Sequence, residues 1–150
     1  MSPSFDPEAM NSSRLALGAT LATTFFWTAK AVAIGSAGGL NRSALESPLF
    51  LLGLVCCLVA SAATGVAVAR RPSMWGRTLS AAGGIAVGVL VAVTSSAVVS
   101  AVAPPSPGWV WEELNLWAMA LTLLAVNLTL RARRSQPEGR PAEVSSAYGA

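Results

Sequence analysis

Histidine is absent from this 150-residue chain, and aspartate and lysine occur once each, as Asp6 and Lys30. Histidine and acidic side chains are the usual general bases and metal ligands of enzymes. The acidic residues other than Asp6 are glutamates. Because the groups that most enzymes use are so scarce, we predict that the chain is not an enzyme and has no metal site and no cofactor.

Reactive cysteine chemistry is also poorly represented. The two cysteines, Cys56 and Cys57, are adjacent and lie in an apolar segment. Neighbouring cysteines rarely bridge, and the C-x-x-C spacing of thiol redox motifs is absent. We therefore expect both cysteines to be small packing residues.

Charged side chains make up 11% of the chain, whereas hydrophobic residues make up 53%. A soluble domain usually has about 25% charged residues. A water-facing surface could hardly be built from so little charge. We predict that the lipid bilayer surrounds the protein and that it has no nucleic-acid partner.

The apolar residues are gathered into four long runs. These runs are Leu15–Ser36, Pro48–Ala69, Thr78–Ala103 and Trp109–Leu130. About 20 apolar residues cross the ~30 Å hydrocarbon core as a helix, and a spanning segment must satisfy its own backbone hydrogen bonds. The runs therefore predict an all-α integral membrane protein: an antiparallel up-down bundle of four transmembrane helices with short loops. This single domain covers residues 15–130, between a tail of residues 1–14 and a disordered basic tail of residues 131–150.

Basic residues are unevenly divided between the two sides of such a bundle. Eight arginines share the side of both termini, whereas Arg42 is the only one on the other side. Since cytoplasmic loops carry the excess of basic residues, we predict that both termini are cytoplasmic. Arginine outnumbers lysine nine to one, which is typical of GC-rich bacterial genomes. We therefore predict a multi-pass protein of the bacterial cytoplasmic (inner) membrane.

Three arginines, Arg131, Arg133 and Arg134, directly follow the fourth run. A basic cluster at this position can bind anionic lipid head groups, at ~1 kcal/mol per charge near the surface. The alternative is that the cluster only marks the end of the membrane span.

The first run also has features of a secretory signal peptide. Arg14 precedes an apolar stretch, and Ala31–Ala33 has the Ala-x-Ala pattern of a cleavage site. Asp6 and Glu8 make the preceding segment less positive, and Lys30 directly precedes the Ala-x-Ala. These residues favour an uncleaved helix, with cleavage as the alternative. The orientation of the other three helices is the same in both cases.

Polar residues fall on one side of the first and fourth runs when these are drawn as helices. Threonines in membrane helices often bond to the backbone of the preceding turn. The pattern therefore favours a contact face between helices, with a water-lined path as the alternative. This polar face comprises Thr20, Thr23, Thr24, Thr28, Asn115 and Thr122.

Small residues form stripes on the second and third runs. Gly84 and Gly88 form a G-x-x-x-G motif, and Gly53 and Cys57 share one face of the second run. Small residues let helix backbones approach closely in lipid, where packing drives association. We predict tight helix packing at these four positions, either within one chain or between two copies.

Lys30 lies about 15 residues into the first run, or ~22 Å from its inner end at 1.5 Å per residue. A charge at this depth is costly. The lysine could extend outward to the interface, pair with a carboxylate, or belong to a solute or proton site. Glu112 is the predicted partner, because it enters from the same side at a similar depth. Glu113 points about 100° away from it.

Two functions remain. The small-residue faces and short loops predict a non-catalytic membrane protein that packs against another subunit or stabilises a complex. The alternative is a small homo-oligomeric transporter or channel that uses the polar face of the first and fourth helices, with Lys30 and Glu112.

Overall fold

The structure is a computed structural model that describes residues 7–69, 73–105 and 108–135. This part of the chain forms four α-helices of 23 to 31 residues. Each helix is long enough and apolar enough to cross a membrane. The helices are α1 (Pro7–Ala37), α2 (Glu46–Val68), α3 (Met74–Val102) and α4 (Trp109–Ser135).

Each predicted span corresponds to one helix, but two helices extend further than the apolar runs. The first helix begins at Pro7, where a missing backbone N–H is tolerated. The last continues to Ser135. Residues 7–14 and 131–135 were predicted to belong to the tails, but they are helical. Once a helix has formed, adding a further residue to its end has a small free-energy cost. The remaining tail segments, 1–6 and 136–150, lie outside the described residues.

A tight turn ends α1 and leads into α2. Gly38 and Gly39 have φ angles of 77° and 140°, a region that favours glycine. Their N–H groups donate to the carbonyls of Gly35 and Ile34 at 3.3 and 3.0 Å, which is the Schellman pattern of a helix C-terminus. The N–H of Asn41 then donates to the Glu46 side chain at 2.8 Å. These bonds fix how α2 begins beside α1.

Both ends of α3 are set by local sequence. The Ser73 hydroxyl accepts a hydrogen bond from the Gly76 N–H at 3.2 Å, and so caps the start of the helix. Pro104 and Pro105 follow the other end. Proline disfavours the helical conformation of the residue before it, so the chain leaves α3 there and returns to start α4.

Buried residues recur at alternating intervals of four and three on α1, and every seven residues on α4. Such spacing places one stripe of each helix toward its neighbours, as in left-handed helix pairs. The buried positions in this pattern are Ala16, Thr20, Thr23, Trp27, Lys30 and Ile34 on α1, and Glu113, Ala120 and Asn127 on α4.

The outer surface is apolar, in contrast to this partly polar interior. Large hydrophobic side chains are exposed on all four helices, whereas a soluble protein rarely exposes contiguous apolar patches of that extent. The exposed residues include Leu15, Phe25, Leu51, Val55, Leu90, Val98, Leu121 and Leu128. This distribution suits a chain whose surroundings are hydrocarbon, because lipid tails do not penalise an apolar exterior.

Candidate functional site

Six polar or charged residues are buried in the described part of the chain, and together we call them the polar interior. They belong to α1, α2 and α4. The polar interior consists of Thr20, Thr23, Lys30, Ser61, Glu113 and Asn127. The members on α1 extend over ten residues, or ~15 Å of helix, so they form two separate groups of contacts.

The first group is an ion pair between Lys30 on α1 and Glu113 on α4. The Lys30 ammonium bonds to Oε1 of Glu113. The two residues are only 7% and 4% exposed. The Phe50 ring of α2 lies 5.4 Å from the ammonium, measured to the ring centroid, which is within the range of a cation–π contact. Three helices therefore enclose this single positive charge.

The predicted partner of Lys30 was therefore wrong by one residue. Glu112 is exposed and lines a small cleft between α3 and α4 with Asn115 and Ser96. Consecutive residues of a helix differ by 100° in direction, so Glu112 and Glu113 cannot both face α1. The Lys30 ammonium is buried among the helices and bonded to Glu113.

Three buried side-chain atoms in the described residues have no hydrogen-bond partner: Trp27 Nε1, Ser61 Oγ and Glu113 Oε2. An unpaired buried polar atom is unfavourable by about 1–3 kcal/mol. Of the three, Glu113 Oε2 belongs to the ion pair. It leaves one carboxylate oxygen able to accept a hydrogen bond from a water molecule or a solute.

Asn127 of α4 connects three helices in the second group. Its Nδ2 donates to Thr20 Oγ1 of α1 at 3.2 Å and to the Leu123 carbonyl at 2.9 Å. Its Oδ1 accepts from Thr64 of α2 at 3.2 Å. Asn127 is 5% exposed. The amide satisfies both of its ends inside the bundle, so it fixes the relative positions of α1, α2 and α4.

Asn127 was not among the predicted site residues, although its spacing along α4 indicates that it faces the interior. Glu113, Ala120 and Asn127 are seven residues apart, and all three are buried. A seven-residue spacing returns to nearly the same face of a helix. We instead followed Glu112, Asn115 and Thr122, which outnumber the buried polar residues on α4 but lie on another face.

The threonines of the predicted polar face divide between inside and outside. Thr20 and Thr23 are fully buried, whereas Thr28 and Thr122 are exposed. Their hydroxyls mainly bond within their own helix: Thr20, Thr23, Thr24 and Thr122 donate to the carbonyls four residues earlier at 2.7, 2.9, 3.0 and 2.7 Å. Asn115 is half-buried, and its side-chain oxygen accepts from the Leu116 N–H at 2.9 Å.

Glycine contacts place α2 against α1 and α3. The Trp27 indole lies directly over Gly53, where an added Cβ would overlap the ring. On the other side of α2, Gly84 faces the Ser61 carbonyl and Gly65, again with no room for a Cβ. These contacts leave α2 between its two neighbours at close range.

The other two predicted packing residues also lie at helix contacts. Gly88 faces the Ser61 side chain. The Cys57 sulfur lies 3.8 Å from the Met119 sulfur of α4. Both cysteines are free thiols. All four predicted packing residues thus lie where two helices meet within one chain.

The remaining predicted residues lie at the end of α4. Arg131 and Arg133 are exposed, and the Arg134 side chain lies outside the described part. Within the described ranges, no three His, Cys, Asp or Glu side chains come together in a way that could hold a metal ion.

Comparison of the chain with protein-family profiles, curated proteins and solved structures finds no match.

Proposed function

We propose that the protein is a non-catalytic integral membrane protein that packs against, or stabilises, a membrane protein complex. The observation that supports this most is that charged and amide groups of the polar interior are bonded within the same chain. The Lys30 ammonium and the Asn127 amide are bonded to groups of the same chain, while the outer surface is apolar. Such a chain can present hydrophobic helix faces to lipid or to a partner.

We further propose an antiparallel bundle with both termini in the cytoplasm of a bacterium. Contacts along α1 and α4 run in opposite order, since Lys30 meets Glu113 and Thr20 meets Asn127. The division of arginines between the two sides supports the orientation.

The orientation can be tested by labelling single cysteines in intact cells. The background carries Cys56→Ala and Cys57→Ala, and one cysteine is introduced at Ser43 or at Ser73. We expect a membrane-impermeant thiol reagent to label position 43 and not position 73. Permeabilised cells are the control, because both positions should then react. Labelling at position 73 in sealed cells would reverse the orientation.

The accessory role is tested by purifying a tagged chain from its native membrane in mild detergent. We expect one membrane protein to co-purify in fixed stoichiometry, by quantitative mass spectrometry. An unrelated four-helix membrane protein with the same tag identifies non-specific binding. Recovery of the chain without any enriched protein would contradict the proposal.

Glu113 Oε2 favours a second candidate, a small homo-oligomeric transporter or channel. A buried carboxylate oxygen without a donor is a possible site for a proton or a cationic solute. Liposomes that contain the protein would then show a flux of protons or cations. Glu113→Gln should abolish this flux, and Glu112→Gln should retain it. Flux no greater than in protein-free liposomes would reject this candidate and leave the accessory role in place.

A further inference from the structure

An apolar cleft of about 430 Å³ lies between α2, α3 and α4. We call it the α3 groove. Its walls include Val68 of α2, Ser80, Gly83 and Val87 of α3, and Leu123 and Val126 of α4. Its volume lies within the ~300–1,000 Å³ of typical ligand sites, and its walls are almost entirely hydrocarbon.

The α3 groove lies alongside the contact between α3 and α2. Gly84 brings α3 against α2, and Ser96 meets α4 across the cleft that also holds Asn115. The residues of α3 that line the groove extend from Ser80 to Val91, and Gly84 is one of them. That distance is ~16 Å at 1.5 Å per residue. An apolar groove of this length suits an extended hydrocarbon chain.

Positive charge lies at one end of the α3 groove. Arg77 precedes Ser80 by three residues, and Arg133 follows Val126 by seven. Residues three or seven apart share a helix face, so both arginines lie on the faces that form the groove, beyond its end. Arg133 is exposed, and Arg77 is partly exposed. Arginine charge therefore lies at this end of the groove.

The acidic side chains that the structure describes lie away from this end. Glu46 is in the first turn of α2 and Glu112 in the first turn of α4. The groove is instead lined by Val68, at the far end of α2, and by Val126, in the second half of α4. Glu113 is held by Lys30. An anion at the groove end would thus meet arginine charge rather than these carboxylates.

We propose that the α3 groove binds an acyl chain of an anionic phospholipid, whose phosphate is held by Arg77 and Arg133. The apolar walls bind the chain, and the two guanidinium groups select a head group of net negative charge. This inference rests on the proposed insertion in a membrane, but it does not depend on any protein partner.

The test uses native mass spectrometry of the full-length protein in non-ionic detergent. The protein is titrated with palmitoyl-oleoyl phosphatidylglycerol or with the phosphatidylcholine of the same acyl chains. We expect one phosphatidylglycerol to bind roughly thirtyfold tighter, since two arginines at ~1 kcal/mol each near a surface contribute about 2 kcal/mol. Equal affinity for the two lipids would overturn the proposal.

Gly83→Leu tests the groove itself. A Cβ at Gly83 meets no other atom within 4 Å, so the leucine can occupy the groove without straining the fold. It should weaken binding of both lipids by at least roughly tenfold, because it displaces several CH₂ groups worth ~0.8 kcal/mol each. Gly18→Leu on α1 is the matched control, since a Cβ there also meets nothing. Unchanged lipid binding by Gly83→Leu would overturn the proposal.

Arg77→Gln tests the head-group contact. We expect it to reduce the preference for phosphatidylglycerol roughly fivefold, while phosphatidylcholine binding stays as in the original chain. Arg14→Gln, on exposed α1 surface, should leave the preference unchanged. An equal loss in both arginine variants would assign the preference to overall charge and overturn the site.

A second copy of the chain is the competing occupant. If Gly83→Leu turns a dimer into a monomer while lipid binding persists, the groove is a protein interface and the lipid proposal is wrong. Val126→Phe, from the opposite wall, repeats the test if Gly83→Leu does not fold. Membrane fractionation separates the two levels of failure: a soluble chain contradicts membrane insertion, whereas a membrane-bound chain with no lipid preference contradicts only the lipid site.

Discussion

α3 is held to the bundle in a different way from the other three helices. Polar contacts join α1, α2 and α4: the Lys30–Glu113 ion pair, and the Asn127 amide between Thr20 and Thr64. All of α3 is described, and Gly88 is its one buried residue. Close backbone approach and directional polar bonds are the two known ways to associate helices in lipid. The α1–α2 contact also uses close approach, at Trp27 and Gly53, whereas α3 meets α2 at Gly84 and Gly88.

The largest effect should come from breaking the ion pair. Lys30→Met or Glu113→Gln leaves one buried charge without its partner, which typically is destabilising by ~3–5 kcal/mol. We expect each single variant to lower the unfolding free energy in detergent, and the double variant to recover part of the loss. Glu112→Gln is the matched control, because Glu112 is next to Glu113 in the sequence but its carboxylate is exposed. Additive single-variant losses would show that the two side chains are not coupled.

The attachment of α3 should be next in sensitivity. Gly84→Ala places a Cβ against the Ser61 carbonyl, and such overpacking is unfavourable by about 1–3 kcal/mol. Since the obstacle is backbone, it cannot move aside as a side chain would. Gly83→Ala, one residue away, meets nothing and should not destabilise. Thermal unfolding in detergent compares the two. Equal stability would mean that α3 is not docked through Gly84.

Removing the Asn127 amide should have a smaller effect. Asn127→Leu loses bonds to Thr20 and Thr64, and side-chain hydrogen bonds between membrane helices average ~0.6 kcal/mol each, with a maximum near ~1.7. We expect a loss of about 1 kcal/mol in chemical unfolding. A double-mutant cycle with Thr20→Val should show coupling, whereas one with Thr129→Val should not, because Thr129 bonds to its own helix at Ala125. If the cycle with Thr20→Val also showed no coupling, Asn127 would not be the connection between α4 and α1.

Thr28→Val should have the smallest effect and marks the boundary between interior and exterior. Thr28 is exposed, and surface substitutions usually change stability by less than about 0.5 kcal/mol. The same measurement on Thr23→Val gives the contrast, because Thr23 is fully buried. A larger loss for Thr28→Val than for Thr23→Val would mean that Thr28 faces a partner or a second copy.

The helices could be predicted from the sequence because the signal is long and local. Each run contains enough apolar residues for a span, and the prolines and polar gaps separate one run from the next. Where the helices end was less predictable. Residues such as Arg14 and Arg131 end an apolar run but are good helix formers, so the helix continues through them.

The site could be predicted only in part because it depends on helix rotation. Lys30 and the depth of its partner follow from composition and counting. Glu112 and Glu113 differ by 100° in the direction of their side chains, and the polar residues of α4 indicated the wrong one of the two. The seven-residue repeat of Glu113, Ala120 and Asn127 indicates Glu113. The contact between Trp27 and Gly53 has no such local signal, because it depends on how α1 and α2 meet.

The ion pair also has a consequence for biosynthesis. Lys30 and Glu113 are separated by 83 residues of sequence, and α1 is made first. In the proposed membrane topology, Lys30 has no carboxylate to bond with until α4 emerges from the ribosome, and an isolated charge within the hydrocarbon core is unfavourable. In that topology the first helix therefore inserts without its ion pair, and the contact to Glu113 forms only after the last helix is made.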